Sequence, residues 1–356
     1  MAIKRRELIK IAALAGLSWH TLAMSAGQSG QKRILGVIKT ASEQWSAVCF
    51  DLLAGKLLYQ LPLPVRAHGS AAFHQQIAAV VARRPGTFVT VFDVDSGKLI
   101  EQINAPEGYA FNGHVAFTEH SMYVSGEKLG SSEGMLFTYD RDRWSLLSKT
   151  DLQGLGPHEI RLHSPNYLVV GIGGLQTDGR DVVNHDTMQP CLLCVDPVTG
   201  QEQWRLQPDN HLLSTRHLTL TDSGHAVIAM QYQSDIPEAR ALIAITDLPV
   251  DQKPTRLLPL QADDLDWMNF NNYIGSVAAC GNQIIATSPR GHRVGVWDLQ
   301  SRQFQQSYYL QDVCSLASDG RQWWAGTGVG VIKASDTENH LQTGLRWDNH
   351  WSFISA

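Results

Sequence analysis

The sequence predicts an all-β protein, a seven-bladed β-propeller closed by a C-terminal strand that joins blade one. Two observations carry this. An apolar run ending in Asp, then a turn, then a further strand recurs seven times, with Asp51, Asp93, Asp140, Asp196, Asp247, Asp298 and Asp336 as anchors and spacings of 42, 47, 56, 51, 51 and 38 residues. A period near 40–50 residues of alternating strands is what propeller blades produce. The second observation is that five of these units open on a histidine, at His68, His114, His158, His217 and His350.

The elements follow in order. "KRRELIK" at 4–10 sets twin arginines before the apolar stretch "IAALAGLSWHTLAM", and small residues at Ala23, Ser25 and Ala26 offer a cleavage point. That reads as a twin-arginine export signal over residues 1–26, too short to span a bilayer permanently. The expectation is a periplasmic protein, with 27–356 forming a single propeller domain and no membrane span after cleavage. In blade one, "ILGVIKTA", "WSAVCFDL" and "KLLYQLPL" supply only three strands, and "NHWSFIS" reads as the missing inner strand. Blade three shows the full order: "HVAFT", "SMYVSG", "GMLFTYD", "WSLLSKTDL". The repeated Asp belongs to the turn before the fourth strand, where its carboxylate can accept from backbone N–H groups. Six and eight blades are the alternative counts.

Charge and cysteine usage narrow the function. The whole chain carries −5, and removing a leader of net +3 leaves −8. An acidic domain has no evident reason to bind nucleic acid or anionic lipid. The five cysteines are Cys49, Cys191, Cys194, Cys280 and Cys314, an odd number whose pairing stays open. Cys191 and Cys194 lie within the strand-like "PCLLCVDP", where residues three apart point to opposite faces, so buried structural thiols are favoured over a redox or metal pair.

The histidines carry the chemistry. Strand two begins eight or nine residues after each of the first four, at Gln76, Met122, Tyr167 and His225. Equivalent positions on the inner strands converge on the propeller axis. The sixth and seventh blades carry Gly275 and Val313 there instead, with Asp312 next door. Imidazole suits Zn, Cu, Fe and Ni, and neutral imidazoles crowded together without a carboxylate are costly unless an ion or anion joins them. The expected cofactor is therefore a transition metal, iron or copper with zinc as a third choice, ligated by His68, His114, His158, His217 and His350. Blade four carries a long insertion, "GGLQTDGRDVVNHDTMQP" at 173–190. It is expected to hang over the channel mouth and to add His185 as a ligand. Arg66, Arg180, Arg216 and Gln231 are candidates for binding an anionic group beside the metal. There is no G-x-S-x-G, phosphate loop or HExxH, and "GTGVGV" at 326–331 precedes no helix. A lactonase or quinoprotein would hold Ca²⁺ with oxygens, which this channel does not offer. Two functions stay open: a metal-binding propeller, with metal-dependent oxidoreductase activity one form of it, and a non-catalytic scaffold for partner proteins.

On "RAHG", "GPHEIRL", "GGLQTDGR", "DTMQPCL", "STRHL", Gln231 and the closing "WDNH", the chain resembles the bacterial domain-of-unknown-function family numbered 1513. The resemblance covers most of the chain after the leader. It implies an exported, propeller-like protein encoded beside imelysin-type and di-haem oxidoreductase-like proteins of periplasmic iron uptake. Periplasmic iron-uptake or redox proteins are then the expected partners of what is expected to be a monomer. No reaction comes with the family.

Overall fold

In a computed structural model that describes residues 31–354 other than 75 and 180, seven four-stranded antiparallel sheets stand around an axis. Their innermost strands are Arg346–Ile354, Ala67–Phe73, Tyr109–Phe117, Pro157–Ser164, Leu213–Leu220, Ser276–Cys280 and Val313–Ser318. Each lies against the innermost strand of the next blade, and Val313–Ser318 lies against Arg346–Ile354, so the ring closes. Blade one is completed as expected: Arg346–Ile354 pairs with Arg33–Lys39, which leads out through Trp45–Asp51 to Lys56–Leu63. Closure in this way leaves no inner sheet edge unpaired. The predicted leader, residues 1–26, lies outside the described residues.

The pattern of each blade follows its distance from the axis. Middle strands such as Cys191–Val195 are buried throughout, because neighbouring blades cover both faces. The fourth strands are more exposed: Lys56–Leu63 alternates between a packed and a solvent face, and Leu99–Asn104 is exposed except at Ile103. The core therefore lies between blades. Val169, Leu192 and Cys194 of blade four, for instance, meet Ala226 and Ile228 of blade five. A short α-helix, Asp264–Asn269, lies between blades five and six, and its Trp267 stacks on Trp297 at 5.4 Å.

The repeated aspartates do what the turn chemistry predicts in six blades. Asp51, Asp93, Asp140, Asp196, Asp247 and Asp298 each accept from a backbone N–H of the following turn, at 2.7–2.9 Å for the shortest contact. Asp336 differs, accepting instead from the side-chain amide of Gln322.

Candidate metal centre

His68 and His158 stand at the second position of their inner strands, as expected, whereas His114, His217 and His350 lie in mid-strand because those strands start earlier than the sequence suggests; all five sit at a break in the register. Pairing with the second strand skips between Ala67 and Ser70, Phe111 and Val115, Pro157 and Ile160, and Thr215 and His217; on the closing strand it skips between Asp348 and Ser352. Such β-bulges add residues to one strand and re-aim its side chains. Here they turn the histidines into the channel. Two glycines make room. Gly113, at φ +98°, holds its Cα where a Cβ would stand 2.6 Å from the His68 ring, and a Cβ on Gly69 would stand 2.9 Å from His114 Nδ1.

The result is a hub of imidazoles. His68, His114, His158 and His217 are all buried, and each offers a ring nitrogen within 4.8 Å of the others, so the group could hold a metal ion. His68 Nε2 and His158 Nε2 are 3.1 Å apart. Four ligands of one tetrahedral ion, each at about 2.0–2.1 Å, stand about 3.3 Å from one another, so modest rotations would bring the set to that spacing. His350 stands against them, its ring centroid 4.0 Å from that of His217 and 4.6 Å from that of His68. Its Nδ1 meets Ser276 Oγ of blade six at 2.6 Å, and it is half-buried.

A carboxylate that the sequence reading did not place belongs to the same hub. Glu159, 5 % exposed, accepts through Oε2 from His217 Nδ1 at 3.2 Å and from the Leu218 N–H at 3.1 Å, and pairs through Oε1 with Arg161 at 2.5 Å. A carboxylate on Nδ1 sets the tautomer of a metal-ligating histidine and leaves Nε2 for the ion. Burial works against the charged form of Glu159, but Arg161 holds its carboxyl below the usual range. The histidines are driven the other way. Burial pushes His68, His114, His158 and His350 well below the ordinary imidazole value, and burial with Arg216 pushes His217 down to about 3. All five rings are thus neutral at pH 7, the form that binds metals. His68 Nδ1, His114 Nε2, His158 Nδ1 and His350 Nε2 are buried with no hydrogen-bond partner among the described residues, and each such orphan costs about 1–3 kcal/mol. The donor set fits a transition ion, which would take up nitrogens that otherwise stand unsatisfied.

The remaining candidates divide. Arg216 is buried, 7 % exposed, and lines a cavity of about 270 Å³ whose floor is His68, His158 and His217; Gln231 lines it too. The insertion of blade four contributes Leu175 and Val182 to the lining. His185 stands apart from the hub: it is exposed, in the 3₁₀ turn His185–Thr187, and lines a neighbouring cavity of about 610 Å³ with Asp186 and His211. Arg66 is taken up by Asp348, with two contacts of 2.6 Å, and lies over Trp45. Arg180 lies outside the described residues. All five cysteines are free thiols. Cys191 and Cys194 do point opposite ways, one into the blade three–four core and the other into the blade four–five core.

Comparison with known proteins agrees with this architecture. The structure is similar to "Kuenenia stuttgartiensis Hydrazine Synthase" at 16 % identity and a TM-score of 0.62, over 82 % of this chain and 90 % of that one. It is similar to the Dos1 propeller at 15 % identity and 0.55, over 81 % and 72 %, and to a functionally unknown protein from Desulfotomaculum acetoxidans DSM 771 at 11 % and 0.62, over 91 % and 99 %. At these identities the likeness is one of fold. None of the curated proteins matches the sequence. The histidine strands, the blade-four insertion and the closing strand all fall within residues 61–354, which match the family described as "Protein of unknown function (DUF1513)", and the chain belongs to that family.

Proposed function

We propose that this chain is an exported periplasmic propeller that binds a transition metal at its hub and serves in iron or copper handling, by delivery or by redox conversion at the site. The observation that carries the reading is the set of four buried imidazoles, from four separate blades, with ring nitrogens within 4.8 Å of one another. A neutral, all-nitrogen donor set with a carboxylate behind one ring suits copper, iron and zinc and disfavours Ca²⁺ and Mg²⁺, which take oxygen ligands. A bound ion would supply Lewis acidity or one-electron chemistry. The chain's own residues hold the rings neutral, orient His217 through Glu159, and line the cavity beside the site with Leu175 and Val182. The twin-arginine pattern of residues 4–10 supports delivery to the periplasm as a folded protein, and the iron-uptake setting that the sequence resemblance implies supports iron.

Metal analysis of protein recovered from the periplasm tests this. About one equivalent of iron, copper or zinc per chain is expected, lost in the His158→Ala, His217→Ala double variant. Metal-free protein that gains no thermal stability from any of these ions would overturn the reading. If the same variants lost capture of a partner protein while metal content stayed at zero throughout, the scaffold function would take its place.

A further inference from the structure

The cavity above the hub is lined by four arginines, Arg83, Arg84, Arg216 and Arg290. Three of them have no ion pair with a carboxylate among the described residues: Arg84, Arg216 and Arg290. Among the described residues Arg216 Nε and Arg84 Nη1 are buried without a hydrogen-bond partner, although Arg216 is 7 % exposed. Glu127 favours the charge of Arg216 but makes no ion pair with it among the described residues, and its Oε2 accepts from the neutral Asn112 amide at 3.1 Å, so one negative charge stands against three guanidiniums. Arg290 lies over the Tyr273 ring at 4.5 Å, which fixes its guanidinium at the rim. Buried guanidiniums set side by side, with donors left over, are unfavourable unless a counter-charge is supplied.

We infer that this cavity is a binding site for a small polyanion, a molecule carrying two or more carboxylate or phosphate groups, gripped by Arg84, Arg216 and Arg290 directly above the imidazole hub. Planar guanidiniums match such oxyanions bidentately, where ammonium groups would act only as point charges. At about 270 Å³ the cavity is close to the lower end of ligand-pocket sizes, about 300–1,000 Å³, and suits a small metabolite. The larger cavity beside it shares Gln231, Gln233, Tyr273 and Arg290, and so provides a route from solvent past Arg290 to the buried pair. The site extends the sequence expectation for Arg216 and Gln231 to a defined set of cations. It stands on the arginines and holds whether or not the hub carries an ion.

The test uses full-length mature protein stripped of metal with chelator and dialysed, so that failure of the metal reading leaves it intact. Titration with tricarballylate, a tricarboxylate that chelates metals weakly, and with inorganic phosphate should give saturable heats and a rise in melting temperature, with sodium chloride at matched ionic strength giving neither. Preference for one probe over the other assigns the ligand to the carboxylates or to the phosphates. Arg216→Gln and Arg84→Gln should each weaken the preferred probe by at least about tenfold. Arg290→Gln, at an exposed position, should do so in a protein that folds even if the buried changes do not, and Arg143→Gln on an outer turn should bind as wild type. No saturable binding of either probe, or unchanged affinity in folded Arg290→Gln protein, would overturn the inference. Anion binding in a protein that takes up no metal would leave this site standing and remove the other.

Discussion

Glu159 accepts from both His217 and the Leu218 amide, so its charge orients one ring and anchors the strand that carries it. Glu159→Gln keeps the shape and removes the charge. It is expected to lower metal affinity by about 10–100-fold, read by competition with a chromophoric chelator, with little change in the circular dichroism spectrum. Gly113 acts through space instead. Gly113→Ala forces a side chain onto a φ of +98° and against the His68 ring at 2.6 Å, at an expected cost of about 1–3 kcal/mol in urea unfolding and with loss of metal. The neutral rings also fix a pH dependence. Their folded pKa values lie below the ordinary 6.5, so the unfolded chain takes up protons below that pH while the folded chain does not. Stability of the metal-free protein therefore falls as pH drops from about 6.5, by up to about 1.4 kcal/mol per pH unit for each ring. For His217 the loss levels off only near its folded value of about 3. Melting temperatures between pH 7 and 4.5 should show it, and a His68→Asn variant should have the shallower slope. A pH-independent melting temperature over that range would contradict the buried, neutral hub.

At the scale of the strand, the bulge decides what reaches the channel. His158 and Glu159 are neighbours in sequence, yet both touch His217, with ring centroids 4.8 Å apart in one case and a 3.2 Å hydrogen bond in the other. A flat strand would send them to opposite faces. This is why the histidines were legible and Glu159 was not: recurrence at blade openings survives a bulge, whereas strict alternation hides its second residue. Arg83, Arg84 and Arg290 were missed for a related reason. They stand just after second strands, in loops whose path over the axis no periodicity describes. The strands also explain the cysteines. Burial pushes Cys49 and Cys191 up to about 11 and Cys194 and Cys314 up to about 12, so these thiols stay protonated and unreactive. Native protein at pH 8 is expected to react with a thiol reagent at none of these four positions within minutes, and at all of them in urea; rapid native labelling at Cys191 or Cys194 would revive a redox role for the pair.

Across the whole molecule, the seven blades, their order and the completion of blade one by the last strand were readable, because the Asp-ended unit recurs seven times and a blade one strand short calls for the spare strand; six and eight blades stayed open until the seven sheets were seen. The closing strand does more than seal the ring. Arg66 ties blade two to Asp348 by two 2.6 Å contacts, and Trp347 and Trp351 pack between blade one and blade seven. A chain ending at Leu345 is expected to lose its cooperative melting transition rather than to melt a few degrees earlier, as followed by circular dichroism. Arg66→Ala, which strips one partner from a half-buried pair, is expected to lower stability by about 1–3 kcal/mol.

His350 arrives on Arg346–Ile354, a segment the ribosome makes after every other strand of the ring. That same segment pairs with Arg33–Lys39 and sets its imidazole 4.0 Å from that of His217. Sealing of the first sheet and arrival of the fifth ring are therefore one event, and a chain in which this ribbon is undocked would show a bare edge at Arg33–Lys39 together with a hub of four rings rather than five.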